Sequence, residues 1–121
     1  MGVSQADLGK VELATAEALN NIVEHACARL TTADIRITAT LAGVRLRLCL
    51  RDPGTPLPDE RIPLGPRPDP HAPHAALPEG GFGWFLIRDL TEQVIYRRVD
   101  GENLLWLHFH LTMEPGKTSK P

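Results

Sequence analysis

Glu79-Gly80-Gly81-Phe82-Gly83-Trp84-Phe85-Leu86-Ile87-Arg88 is the stretch on which the reading of this chain turns. Three glycines in four positions run directly into an apolar, helix-compatible segment. Glycine bares the backbone, and the first N–H groups of a helix lack intrahelical partners, so such a run can hold phosphate. A turn and helix start, with Gly81 or Gly83 at positive φ, accounts for the same residues. The surrounding sequence has to decide between the two.

Immediately upstream, residues 52–81 hold nine of the eleven prolines. Regular structure is nearly excluded there, and so long a structureless loop inside a compact domain is usually functional or disordered. Before it, residues 35–41 alternate Ile35, Ile37, Ala39 and Leu41 with Arg36, Thr38 and Thr40, the pattern of a half-buried strand. After an Ala42-Gly43 turn, Val44, Leu46, Leu48 and Leu50 alternate with Arg45, Arg47, Cys49 and Arg51, completing a hairpin. Residues 6–30 read as one helix, with Leu8, Val11, Leu19, Ile22, Ala26 and Leu30 on one side and Lys10, Glu17, Asn21 and Glu24 on the other. Ser4 lies where an N-cap belongs. Downstream, 83–90 reads as a short helix, 93–98 as a strand, Asp100-Gly101 as a hairpin turn and 103–111 as a last strand. The order predicts a two-layer α+β sandwich: a mixed or antiparallel sheet of about four strands with helices on one face. Residues 1–113 are expected to form a single domain, and 114–121 a flexible tail.

The bulk numbers bound the function. A chain of 121 residues suits one domain. A net charge of −2 and 5% aromatic residues argue against nucleic acid as a direct partner. No apolar run approaches the roughly 18 residues needed to span a bilayer, and the start lacks the pattern of a signal peptide. Two cysteines, Cys27 in the helical pattern and Cys49 in a strand pattern, fit reduced thiols and a cytoplasmic location.

Two further patches bear on the glycine run. Glu17, Asn21 and His25 are spaced four apart and form a ladder on successive helical turns. An amide oxygen can ligate Mg²⁺, and a carboxylate one turn away can orient or deprotonate a hydroxyl. Spacing alone favours a solvated polar face. Arg51-Asp52-Pro53-Gly54-Thr55-Pro56 ends a strand with a carboxylate that can accept a proton from a ligand amino group, although Asp-Pro-Gly is equally turn chemistry.

Taken in order, Glu17-x-x-x-Asn21-x-x-x-His25, Asp52-x-Gly54 and Gly81-x-Gly83 resemble the GHKL (Bergerat-fold) ATPase superfamily. Within it, Glu-Ala-Leu-Asn-Asn-x-x-Glu-His-Ala and Glu-Gly-Gly-Phe-Gly-Trp-Phe-Leu-Ile-Arg are similar to the N-box and second glycine box of the anti-sigma-factor serine-protein kinases, the RsbW/SpoIIAB-like group. Asp100-Gly101-x-Asn103-x-Leu105 fits that group's final hairpin, and the resemblance covers residues 8–111.

The resemblance implies a histidine-kinase-like ATPase fold, ATP and Mg²⁺ as cofactors, and phosphorylation of a serine on an anti-sigma antagonist by a protein that also binds a sigma factor. Asn21 would ligate the Mg²⁺ and Glu17 would be the general base. Asp52 would accept the adenine amino group, and Gly54 would let the base lie against the backbone. Gly81 and Gly83 would present N–H groups to phosphate, with Phe82 and Trp84 beside them in the ATP site. Residues 53–80 would be the ATP lid. His25 is expected to be a packed or hydrogen-bonded histidine. His71 and His74 in the lid are too few for a metal site. His108, His110 and the stripe Arg45, Arg47, Arg51 read as solvated sheet residues, the arginines with the option of an acidic protein partner. Members of that family generally carry a strand and a helix before the N-box helix, and this sequence begins almost at that helix. Either the sequence is truncated or another chain supplies the edge, and an exposed edge would favour a homodimer. The alternative is a catalytically inactive module of the same fold that binds nucleotide or sequesters a partner.

Overall fold

The computed structural model describes residues 2–63 and 81–114. Its elements are β1 (Gly2–Val3), α1 (Gln5–Asn21), a π-helical turn (Ile22–Ala26), β2 (Arg36–Ala42), β3 (Arg45–Asp52), a 3₁₀ turn (Pro58–Glu60), α2 (Gly81–Leu90), β4 (Gln93–Val99), β5 (Glu102–His110) and β6 (Met113–Glu114). The main sheet is antiparallel, in the order β2-β3-β5-β4, and β1 pairs separately with β6. Two helices pack on this sheet, as the sequence predicts for an α+β sandwich.

The hairpins follow from their turns. Gly43 has φ +61, and Asp100 and Gly101 have φ 51 and 79, the left-handed values that two-residue hairpin turns demand. The first turn lies one residue later than expected, on Gly43-Val44. The alternation of β3 holds: Leu48, Leu50 and Asp52 are buried while Arg45, Arg47 and Arg51 are exposed. On β5, Leu105, Leu107 and Phe109 are buried between the exposed His110 and half-buried His108 and Trp106. These side chains meet Ala14 and Ala18 of α1, Ile22 of the π-helical turn, and Trp84 and Ile87 of α2. Leu50, Ile87 and Leu107 are the largest fully buried side chains, each stabilising the fold by about 2 kcal/mol.

Four expectations are corrected. The first helix ends at Ala26, not residue 30, because the backbone widens into a π turn from Ile22. Its burial centres on Ala14, Ala18 and Ile22, while Leu8 and Leu30 are exposed. The strand β2 is not half-buried: all seven residues are exposed, because it lies at the edge of the sheet beyond the helices. Glu114 is not tail but pairs with Gly2, giving the chain a short first strand that the sequence did not announce. Residues 115–121, and most of the expected lid with His71 and His74 (64–80), lie outside the described residues.

The start of α1 is pinned to the end of β5. Ser4 caps the helix, its Oγ accepting from Asp7 N at 3.1 Å, and Ser4 N donates to Thr112 O at 2.9 Å. The Thr112 N–H in turn donates to the Asp7 carboxylate and lowers its pKa. Among the described residues no helix is long and apolar enough to cross a membrane.

Candidate functional site

Antiparallel register sets one side of the site. Asn103 on β5 lies opposite Asp52 on β3 and opposite Arg98 on β4. Directly opposite residues share a face, so three polar side chains converge where the apolar face would otherwise continue. Asp52 is 2% exposed and Asn103 is 4% exposed. Asp52 Oδ1 accepts from Gly54 N at 2.8 Å, Asn103 Nδ2 at 3.0 Å and, weakly, Cys27 Sγ at 3.9 Å. Asn103 Nδ2 also donates to Thr55 O at 2.8 Å, and its Oδ1 accepts from Tyr96 OH at 2.5 Å and Arg98 NH1 at 3.0 Å. Tyr96 OH accepts from Leu57 N at 3.0 Å, and Arg98 donates to Gly54 O. A buried carboxylate is tolerable only with such donors. Gly54 N, Asn103 Nδ2 and Cys27 Sγ all reach Asp52 through Oδ1.

The Asp-Pro-Gly segment is a turn, since the Asp52 carboxylate accepts from the backbone N–H two residues on. Gly54 differs from expectation. An added Cβ would overlap the Ala26 carbonyl oxygen and lie 2.5 Å from its carbon. The missing side chain makes room for the helix end, which Thr55 N then bonds at 2.8 Å through Ala26 O.

The helix side is less satisfied. Asn21 is the last residue of α1 and opens the π turn, closed by Cys27 N donating to Ile22 O at 2.8 Å. The wider turn breaks the four-residue ladder, so His25 is exposed at the cavity rim rather than packed. Asn21 Nδ2 is buried and has no hydrogen-bond partner. Rotating the amide exchanges its O and N, so this position offers a ligand either a donor or an acceptor. The polar ladder is therefore not a solvated face: Glu17 and Asn21 turn toward α2. A Cβ on Gly83 would fall 3.1 Å from Glu17 Oε2 and 3.5 Å from Asn21 Oδ1. Gly83 is the third residue of α2 and does not lie in a turn, and the nearest atom to an added Cβ is the tip of the Glu17 side chain.

Between the two sides lies a cavity of about 460 Å³. Asn21 and Ile22 face Asp52 and Asn103 across it, with Leu57 and Trp84 among its apolar residues. Size, apolar lining and a few convergent polar groups are those of a small-molecule site. Of the expected residues, Asn21, Asp52 and Trp84 line the cavity, Trp84 as a core residue 6% exposed. Glu17, Gly54 and Gly83 are not among the lining residues, and Gly81 and Phe82 open α2. Tyr96, Arg98 and Asn103 were not singled out as site residues. A signal existed for Asn103: it interrupts the apolar alternation that Leu105, Leu107, Phe109 and Leu111 continue.

Burial and the neighbouring Asp52 carboxylate push the Cys27 thiol above its ordinary pKa, and burial does the same to Cys49. Both cysteines are free. No group of three or more His, Cys, Asp or Glu that could hold a metal occurs among the described residues.

The sequence profile of the Histidine kinase-like ATPase domain matches residues 1–109. Among solved structures, the chain is similar to the histidine kinase domain from the Erythrobacter litoralis EL346 blue-light activated histidine kinase, with TM-score 0.63 and 15% identity. The match covers 87% of this chain and 45% of that one, so this chain spans less than half of that protein's length. At this identity the likeness is one of fold. No curated protein matches the chain by sequence.

Proposed function

The chain belongs to the histidine kinase-like ATPase domain family, within the GHKL superfamily, and from that premise we propose that it binds Mg-ATP and works as a cytoplasmic serine-protein kinase of the anti-sigma-factor type. One observation carries the nucleotide part: Asn21, with an unpartnered buried amide nitrogen, and Asp52, buried at 2% exposure, face the same cavity. In this reading Asp52 accepts the adenine amino group and the surrounding network holds its carboxylate in place. Asn21 ligates Mg²⁺ on the phosphates. Gly81 and Gly83 lie in the first turn of α2, whose N–H groups have no intrahelical partners and favour anions. Phe82 and Trp84 sit in the same turn. Bound Mg²⁺ neutralises phosphate charge. Glu17, one turn before Asn21, takes the proton of a serine hydroxyl on an antagonist protein. The antagonist and a sigma factor are the proposed partners, supported by the wording of the N-box and the second glycine box.

Calorimetric titration with Mg-ATP tests the nucleotide part. Saturable heat that disappears in Asp52→Asn is expected, and no heat at millimolar ligand overturns it.

A second reading has its own support. Glu17 is not among the residues lining the cavity, and its carboxylate lies over Gly83. That arrangement also fits a module that holds nucleotide and sequesters a partner without phosphotransfer. Incubation with γ-labelled ATP and candidate antagonists separates the readings. Transfer that is lost in Glu17→Ala, with ATP binding retained, supports the kinase. Partner binding without transfer supports the module.

A further inference from the structure

The segment that leaves β3 belongs to no sheet, and Pro53, Pro56, Pro58 and Pro63 have no N–H to give to one. Side chains from other elements bond its backbone instead. Arg98 NH1 donates to Gly54 O, Asn103 Nδ2 to Thr55 O at 2.8 Å and Arg88 NH2 to Ile62 O at 3.2 Å. Leu57 N donates to Tyr96 OH at 3.0 Å. Leu57 and Ile62 pack against the core, and Thr55, Pro56, Leu57, Pro58 and Pro63 line the cavity. The expected lid begins at residue 53, yet as far as Ile62 the chain is a wall of the cavity, tied to β4, β5 and α2.

Tyr96 differs from the other ties because it joins the wall to the buried acceptor. Its hydroxyl has one proton, which Asn103 Oδ1 takes at 2.5 Å, while its oxygen accepts the Leu57 N–H. Asn103 in turn donates to Asp52 Oδ1 at 3.0 Å. The bonds therefore run one way, from Leu57 through Tyr96 and Asn103 to Asp52. Asn103 cannot turn its amide over, because its oxygen would then face Asp52 Oδ1 and Thr55 O. Leu57, Tyr96 and Asp52 all line the cavity.

We propose that Tyr96 is a positioning residue for the base end of the nucleotide. Its hydroxyl holds Leu57 on one side and the Asn103–Asp52 pair on the other, and so fixes the slot that a planar base enters. A wall already in place spares the ligand the cost of ordering it. The proposal rests on the reading that the cavity takes Mg-ATP with adenine at Asp52. Asn21, at the helix end, serves the phosphates, so the two ends can be perturbed separately.

Tyr96→Phe keeps the ring and removes the hydroxyl. Amide hydrogen exchange on the ligand-free full chain reads the wall: Leu57 N–H should exchange about tenfold faster in the variant. Calorimetric titration reads the slot, at a temperature where circular dichroism shows both proteins fully folded. The variant should bind Mg-ATP about tenfold more weakly, and metal-free ADP by the same factor, because the loss is at the base end. Asn21→Leu should weaken Mg-ATP more than metal-free ADP. A tyrosine that only stabilises the fold would lower the thermal midpoint and leave both dissociation constants unchanged, which overturns the proposal while the nucleotide reading stands. A loss confined to Mg-ATP overturns it too, by moving Tyr96 to the phosphate end, as does an unchanged Leu57 exchange rate. Absence of heat with the wild-type protein is a different failure, because it removes the nucleotide reading and the role of Tyr96 together.

Discussion

The two sides of the cavity are built on opposite terms. The strand side is a closed hydrogen-bond network: both donors and the acceptor of Asn103 are engaged by Asp52, Thr55, Tyr96 and Arg98. The helix side ends in a π turn and keeps a buried amide nitrogen without a partner on Asn21. A satisfied network fixes geometry before any ligand arrives, and an unsatisfied buried group is a standing cost that a ligand can relieve. The contrast teaches that similar residue types serve different ends. Asn103 belongs to the packed network, while Asn21 keeps the amide nitrogen that the proposed ligand would engage.

Replacing each asparagine by leucine tests this contrast most severely. Asn103→Leu deprives a buried carboxylate of one of its donors and leaves Tyr96 and Arg98 without their shared acceptor. It should destabilise the protein by about 3 kcal/mol in urea unfolding. Asn21→Leu removes a group that has no partner, so the ligand-free protein should hold its stability or gain up to about 1 kcal/mol. Its loss appears elsewhere. Wild-type protein at about 100 Kd of Mg-ATP should be stabilised by about 2.7 kcal/mol, and Asn21→Leu by nothing measurable. Equal destabilisation by the two substitutions would erase the distinction.

The two close-approach glycines give a smaller version of the same test. At Gly54 the obstacle is the Ala26 backbone, which cannot step aside without moving the helix end. Gly54→Ala should cost about 2 kcal/mol, within the range of overpacking. At Gly83 the nearest atom is the tip of the Glu17 side chain, 3.1 Å away. Gly83→Ala gains up to about 1 kcal/mol of helix propensity and asks only that Glu17 rotate. Its stability in thermal melts should be unchanged or slightly higher. The displaced carboxylate should lower phosphotransfer while ATP binding persists.

What the sequence revealed follows the same division. Residues carrying a local signal were legible: the hairpin turns at Gly43 and Asp100-Gly101, the alternation of β3, the cap at Ser4, and the ordered boxes around Asn21, Asp52 and Gly83. Residues whose role depends on register were not. Tyr96 and Arg98 matter because Asp100-Gly101 folds β4 back on β5 so that Asn103 falls between Arg98 and Asp52, a relation among three strands. The exposure of β2 was equally hidden, since alternation fixes which side chains share a face but not whether anything covers that face. The π turn left no trace in spacing, and it moved His25 out of the predicted ladder.

Cys27 links the two sides, and its removal is the smallest perturbation expected to register. Its thiol donates to Asp52 Oδ1 at 3.9 Å, a long contact from the end of the helix to the strand network. Cys27→Ala leaves that oxygen with Gly54 N and Asn103 Nδ2, so at pH 7 the loss should be about 1 kcal/mol. The pH dependence follows from the raised thiol pKa. Burial and the Asp52 charge raise the thiol pKa in the folded state, so the neutral thiol is favoured there more than in the unfolded chain. Its contribution is complete below the unfolded value near 9 and is lost as pH rises from there through the folded value. Unfolding curves of wild type and Cys27→Ala should therefore lie farthest apart at neutral pH and converge in alkali. A gap that stays constant up to pH values well above the ordinary thiol range would mean that burial and the Asp52 charge do not hold the thiol neutral in the folded protein.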